Sequence, residues 1–310
     1  MKRQSISRRE ALRLLGAGAA TCVAGRKLDA HGSSASQSMI SRSIPSSGET
    51  LPVIGLGTWQ TFDVGTSDAE RAPLGEVLSA LVAGGAKVID SSPMYGNSEE
   101  VVGDLTAKLG IRPKVFLATK VWTTGKAQGI AQMEASMRKL RAKPLDLIQV
   151  HNLVDVETHL ATLREWKKAG RVQYIGITHH NTGGHEEVAR LLASEPLDFV
   201  QINYSVGERD AEKRILPLAK DRGIAVIANR PFAAGDLLKR LRNQPLPDWA
   251  AEIDCTSWAQ LLLKFIVSHP AITCAIPGTA KAEHMRDNLQ GGRGRLPDEA
   301  MRARIAAAVQ

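Results

Sequence analysis

Four side chains in the sequence have types and spacing suited to proton chemistry: Asp90, Tyr95, Lys120 and His151. The first two lie in the stretch VIDSSPMYGNSEE (residues 88–100), where an apolar run ends on an acid and a tyrosine follows on a polar loop. A tyrosine hydroxyl, with a pKa of about 10, is a poor proton donor or acceptor at neutral pH. A lysine ammonium beside it stabilises the phenolate and is expected to lower that pKa. An aspartate holds the ammonium in place, and a histidine orients a substrate oxygen or assists proton transfer. Such a set gives a proton to a developing alkoxide, and its natural counterpart is a hydride from a nicotinamide cofactor. Taken alone, Asp90 reads as a structural loop acid; the three companions make a shared site the stronger reading.

The elements that must bring these residues together follow from the apolar pattern. Eight strand-like runs recur: VIGLGT, KVIDSS, VFLATKV, LDLIQVHN, VQYIGITHH, DFVQINYS, AVIANRPF and ITCAIPG. Between them lie segments with apolar residues three and four apart, such as Val77, Leu78, Leu81 and Val82, or Leu160, Leu163 and Trp166. Alternating strands and helices imply parallel strands with crossover helices, and eight units predict a closed (β/α)₈ TIM barrel over residues 38–310. A short β-hairpin around Ser46-Ser47-Gly48 precedes it. An open doubly wound sheet would need a glycine-rich dinucleotide turn after a strand, and Gly55-Leu56-Gly57 lacks the third glycine. A barrel carries its chemistry where its strands end. Those ends hold Gly57-Thr58-Trp59, Asp90, Lys120, His151-Asn152, Thr178-His179-His180, Gln201 with Asn203, Asn229-Arg230 and Pro277-Gly278-Thr279. Trp59, and more weakly Trp122, are expected to line an apolar substrate pocket together with Tyr95 and His151. Trp166 and Trp258 fall in helical periodicity and read as packing residues. His179, His180 and His185 fit no common zinc spacing, so no metal site is expected; Asn181 or Thr182 reads as the start of the next helix.

The motifs GLGTW, VIDSSPMYG, FLATK, LDLIQVHN, FVQINYS and IPGTAKAEHMRDN, in this order from about residue 40 to residue 290, resemble the aldo-keto reductase superfamily. The resemblance implies a (β/α)₈ barrel, a catalytic tetrad at Asp90, Tyr95, Lys120 and His151, and NADP(H)- or, less often, NAD(H)-dependent reduction of aldehydes and ketones. It places Gln201 at the nicotinamide amide, with Thr178 where a serine is usual and His179 where an asparagine is usual. Asn229 stands where many members stack a tyrosine on the nicotinamide, and Arg230 is placed to meet the pyrophosphate. Gly278 and His284 replace basic residues that often hold the adenosine 2′-phosphate, and Lys281 and Arg286 compensate; NADP(H) is favoured and NAD(H) stays open. Asn288 matches the adenine-binding asparagine. Gly57, Thr58, Asp90, Phe232, Ile276, Thr279 and Asp287 complete the cofactor set that the resemblance implies. A second reading is a barrel that binds the cofactor as a sensor or accessory subunit and turns over slowly or not at all.

The whole chain has 310 residues, 43% hydrophobic and 23% charged, with a formal net charge of +8. That charge is uneven: residues 1–30 hold seven Lys and Arg against two Asp and Glu, leaving +3 for the rest. Mixed signs along the helices argue against a nucleic-acid partner, and no run approaches the roughly eighteen apolar residues of a membrane span. The N-terminus, with Ser7-Arg8-Arg9, then Leu12 and Arg13, then an Ala/Gly-rich stretch, resembles a twin-arginine export signal. Residues 1–37 are therefore expected to be signal and flexible linker, recognised by the twin-arginine export machinery and leading to a periplasmic or otherwise exported protein. Cleavage after Ala24 or Ala30 and a lipid anchor at Cys22 remain alternatives, Thr21 being a poor match for the anchor. Cys255 and Cys274 are too few to define a disulfide framework. The long segment after the seventh strand, residues 233–255, reads as a loop beside an open pocket, and residues 298–310 as a closing helix. The small-molecule carbonyl substrate is left unnamed by the sequence, and oligomeric state has no signal in it.

Overall fold

A computed structural model describes residues 38–309. The expected hairpin comes first: β1 (Ser41–Ser43) pairs antiparallel with β2 (Thr50–Pro52), Arg42 opposite Leu51. Gly48 takes φ +78° in the connecting turn, a conformation open to glycine at little cost. The eight runs then become parallel strands: β3 (Leu56–Gly57), β4 (Val88–Asp90), β5 (Phe116–Val121), β6 (Leu145–His151), β7 (Val172–Thr178), β8 (Phe199–Asn203), β9 (Ala225–Asn229) and β10 (Ile272–Ala275). Each pairs with its neighbour in sequence order, and parallel bridges from Ile54 to Ala275 and from Gly57 to Gly278 close the barrel. The first run shrinks to two strand residues because its other members meet β10 through isolated bonds, such as Gly55 N to Ala275 O at 2.8 Å.

Helices fill the intervals: α1 (Asp68–Ala83), α2 (Ser98–Lys108), α3 (Lys126–Lys139), α4 (Val156–Lys168), α5 (His185–Ser194), α6 (Ile215–Asp221), α7 (Asp236–Leu241), α8 (Trp258–Val267), α9 (Ala282–Gln290) and α10 (Glu299–Ala308). Side chains cap several of them: Ser67 accepts from Glu70 N, Ser257 from Gln260 N and Asp298 from Met301 N. The segment expected as a loop after the seventh strand instead contains α7 and 3₁₀ turns at Ala233–Gly235 and Asp248–Ile253. Cys255 and Cys274 are both buried and form no disulfide among the described residues, and burial pushes the Cys255 thiol up to about 11. Among the described residues no helix is long and apolar enough to cross a membrane. Residues 1–37, which carry the export reading, lie outside the described residues.

The strands' two-residue period divides the core in two. Ile89, Leu117, Val121, Ile148, Val150, Ile175, Ile177, Val200 and Ile202 face outward and pack under the helices. Val88, Phe116, Ala118, Leu147, Tyr174, Phe199, Ala225 and Ile227 form a separate interior cluster. Phe116, Tyr174 and Phe199 stand 5.5 to 6.0 Å apart, ring to ring. Gly176 is obligatory among them, since a Cβ there would lie 2.5 Å from the Phe199 carbonyl oxygen. The hairpin stoppers this end of the barrel. Ile44 and Leu51 join the interior cluster, and the Tyr174 hydroxyl lies within hydrogen-bond distance of Ser47 Oγ (2.7 Å) and the Glu49 carboxylate (2.9 Å). Leu51→Ala is therefore expected to destabilise the protein by about 2–5 kcal/mol, measured from its urea midpoint; a loss below 1 kcal/mol (about one hydrogen bond) would mean the hairpin is not part of the core.

Candidate active site

Following the same inward positions up the strands, the filling turns polar: Asp90 on β4, Lys120 on β5, Gln149 and His151 on β6, Thr178 on β7, Gln201 and Asn203 on β8, Asn229 on β9. Lys120 is fully buried. Its ammonium donates to Asp90 Oδ2 at 2.6 Å and to the Ser91 carbonyl at 2.7 Å, and it lies 5.1 Å from the centroid of the Tyr95 ring. Asp90 Oδ1 accepts from Gln201 Nε2 at 2.8 Å, so both carboxylate oxygens are engaged. Burying such a pair is costly unless every donor and lone pair is met; removing one partner alone typically costs about 3–5 kcal/mol. Gln201 Oε1 accepts in turn from Thr178 Oγ1 at 3.3 Å and Asn229 Nδ2 at 3.4 Å, linking four strands.

Tyr95 sits on the β4–α2 loop, which is tied to the β3–α1 loop. Asn97 N donates to Asp63 Oδ1 (2.9 Å), the Asn97 side chain donates to the Val64 carbonyl (3.2 Å) and Ser98 Oγ donates to the Thr58 carbonyl (3.4 Å). Asn97, at the N-terminus of α2, thus spends its amide on the neighbouring loop and makes no side-chain cap bond to that helix. The Tyr95 and His151 rings meet edge-on at 6.0 Å, and the Trp122 and His151 rings lie 6.5 Å apart. All four expected residues therefore converge.

Electrostatics refine the expectation. Burial raises the Tyr95 phenol above its ordinary value; Lys120 pulls it down and Asp90 pushes it up, and the net direction is upward. The anticipated lowering by Lys120 is real but outweighed by the loss of water. Burial also opposes charge on Lys120, yet Asp90 and Tyr95 more than offset this and hold the ammonium above the usual lysine range. Burial, then Lys120, His180 and His179, push His151 down to about 2. The imidazole is neutral at any working pH.

Asp90, Tyr95 and His151, though not the fully buried Lys120, open onto a pocket of about 370 Å³ at the C-terminal ends of the strands. Its lining includes Trp59, Tyr95 and His151, and also Gly57, Thr58, Asp90, Thr178, Gln201, Asn229, Arg230, Phe232, Ile276 and Gly278 from the expected cofactor set. Trp122 is 42% exposed beside His151 and is not part of the lining. His179 is also outside the lining, its ring turned to the Asn181 carbonyl at 3.0 Å. Thr279, Lys281, His284, Asp287 and Asn288 lie beyond the pocket at or near α9: Lys281, His284 and Arg286 are exposed, and Thr279 and Asn288 are buried. Asp287 accepts from Ser257 Oγ at 2.7 Å and Gln260 Nε2 at 2.6 Å, which makes it a strut between α8 and α9. His185 bonds Asn203 Oδ1 at 2.9 Å, and Asn181 accepts from Gly183 N at the 3₁₀ turn before α5. Met94 in the β4–α2 loop, Ala234 in a 3₁₀ turn and Leu238 in the short helix α7 line the pocket without having been singled out.

The loops at the mouth store strain. Asn152, Leu153 and Asp155 after β6, and Arg230, Ala233 and Ala234 after β9, all take left-handed φ between 47° and 60°. Such positions cost on the order of 1 kcal/mol or more each and concentrate at functional sites. Two polar atoms there, Asn229 Oδ1 and Arg230 Nε, are buried without a hydrogen-bond partner among the described residues, while Gly57 and Gly278 bring bare backbone to the pocket wall. Unpaired polar groups beside an accessible backbone fit a phosphate-bearing, amide-bearing ligand such as a nicotinamide dinucleotide.

A (β/α)₈ barrel with a buried lysine–aspartate pair, a phenol and a neutral imidazole around one pocket defines a proton-donating oxidoreductase-type site. The Aldo/keto reductase family model matches residues 53–308. Methylglyoxal reductase YeaE of Escherichia coli is 31% identical over 246 residues, covering 77% of this chain and 84% of that protein. Aldo-keto reductase YhdN of Bacillus subtilis is 30% identical over 217 residues, 65% of each chain. Among solved structures, an aldo/keto reductase from Klebsiella pneumoniae in complex with NADP and acetate superposes with a TM-score of 0.69 at 26% identity, covering 84% of this chain and 93% of that one. The chain belongs to the aldo/keto reductase family.

The His151 shift has a sign that can be tested. A folded-state value far below the ordinary histidine value of about 6.5 contributes stability that is full above about pH 6.5 and is lost as pH falls toward 2. The loss is at most about 1.4 kcal/mol per pH unit. His151→Asn is expected to flatten the fall in urea stability between pH 6 and pH 4; identical slopes would remove His151 from that account.

Proposed function

We propose that the protein is an NADP(H)-dependent carbonyl reductase that converts aldehydes and ketones to alcohols. The observation that carries this reading is the Lys120–Asp90 pair set beside Tyr95, with Asp90, Tyr95 and His151 all lining one pocket. When bound, the nicotinamide supplies the hydride that reaches the carbonyl carbon. Tyr95 gives its hydroxyl proton to the carbonyl oxygen as negative charge grows there. Its raised pKa keeps that proton in place at neutral pH, and Lys120 stabilises the phenolate left behind. His151, neutral, orients the oxygen by a hydrogen bond. Thr178, Gln201 and Asn229 would hold the carboxamide end, Arg230 the pyrophosphate, and Lys281 and Arg286 the adenosine 2′-phosphate. NADP in the Klebsiella structure supports NADP(H) over NAD(H), and the E. coli relative's name supports a small carbonyl substrate.

The purified protein is expected to oxidise NADPH when offered a panel of aldehydes, and NADH more slowly. Tyr95→Phe should lower kcat by about 10²–10⁴-fold while cofactor affinity is retained. A wild-type protein as inactive as the variant across the panel would sink the reductase reading.

Export is a separate proposal, supported by the Ser7-Arg8-Arg9 motif and the basic charge of residues 1–30. With Arg8→Lys and Arg9→Lys together, the protein should accumulate in the cytoplasm of a bacterial host rather than in the periplasm. Unchanged fractionation would remove the twin-arginine route.

A further inference from the structure

Ser92 lies two residues beyond Asp90, wholly buried, and has no part in the proton chemistry described so far. Its Oγ stands 3.2 Å from His151 Nδ1, the only hydrogen-bond partner of that imidazole among the described residues. Residue 93 is a proline without an N–H, so the next amide, Met94 N, turns back and donates to Ser92 Oγ at 3.4 Å. That amide occupies the oxygen as an acceptor and leaves the hydroxyl hydrogen to find an acceptor of its own. Among the described residues, Nδ1 is the one acceptor that Ser92 Oγ meets. A nitrogen that accepts carries the lone pair, and in a neutral imidazole the proton then sits on the other nitrogen.

We infer that Ser92 is a positioning residue that fixes His151 as the Nε2–H tautomer, so that the imidazole offers the substrate carbonyl a hydrogen-bond donor. The inference rests on the carbonyl reductase reading for its consequence, although not for the tautomer itself. His151 lines the pocket, and its Nε2 takes no hydrogen bond from the described residues. In the opposite tautomer Nε2 would present a lone pair to the carbonyl oxygen and repel it. The imidazole is held neutral by its surroundings, so its tautomer, and not its protonation, decides whether it attracts the substrate. Tyr95 then moves the proton while His151 holds the oxygen in line without losing its own.

Long-range ¹H–¹⁵N correlation spectra of ¹⁵N-labelled protein report which ring nitrogen bears the proton, with His151→Asn identifying the signals. The wild type should show Nε2–H as the dominant form. Ser92→Ala should admit the Nδ1–H form and lower kcat/KM for an aldehyde by about threefold to tenfold, the worth of one hydrogen bond, with NADPH affinity unchanged. A wild type dominated by Nδ1–H would overturn the inference even if Ser92→Ala proved unstable. So would a folded Ser92→Ala that keeps both the Nε2–H form and full kcat/KM. A protein without reductase activity would overturn the preceding functional reading, and the spectrum would still decide the tautomer.

Discussion

The structure depends on one constraint: a lysine ammonium held inside a β-barrel. Lys120 is out of reach of water, so the chain must supply every partner its charge requires. Asp90 and the Ser91 carbonyl do so from the adjacent strand, at 2.6 and 2.7 Å. Asp90 must in turn be satisfied, and Gln201 reaches it from β8, three strands beyond β5. The aromatic layer of Phe116, Tyr174 and Phe199 fills the space beneath and sets how deep the polar layer lies. Tyr95 comes from a loop, where it is close enough to feel the ammonium yet lines the pocket.

This arrangement alters what the lysine does for the tyrosine. An exposed phenol beside an ammonium would titrate lower; here enclosure dominates and the phenol holds its proton more firmly. The result suits a group that must arrive at the reaction still protonated and give the proton up only when charge develops on the substrate oxygen. The same enclosure keeps His151 uncharged. Two groups that titrate near 10 and 6.5 in water (approximate model values) are thus both held neutral across the physiological range.

Much of this was legible in the sequence, because a strand run ending on Asp90, Lys120 or His151 breaks its own apolar pattern. The barrel was legible for a similar reason, since the alternation of eight runs leaves few other closures. Contacts across the barrel were harder to read. Ser92 meets His151 over 59 residues, and Gln201 meets Asp90 over 111, with no local periodicity to announce either. Asn97 likewise sends its side chain to a loop more than thirty residues away. The direction of the Tyr95 shift depends on how much water surrounds the ring, which neighbouring residue types do not reveal. Trp122 follows Lys120 closely, yet the chain turns there and carries its ring past the pocket.

The hairpin at the far end has a consequence for traffic. With Ile44 and Leu51 seated among the interior aromatics, the barrel is a blind cup and not a tunnel. Anything entering beside His151 must leave by the same doorway. Whichever ligand sits deeper has to arrive first and depart last, so sequence of entry is imposed by the shape of the vessel before any affinity is considered. A catalyst built in this way queues its reactants, and the packed aromatic layer with the short hairpin beneath it is the reason it can.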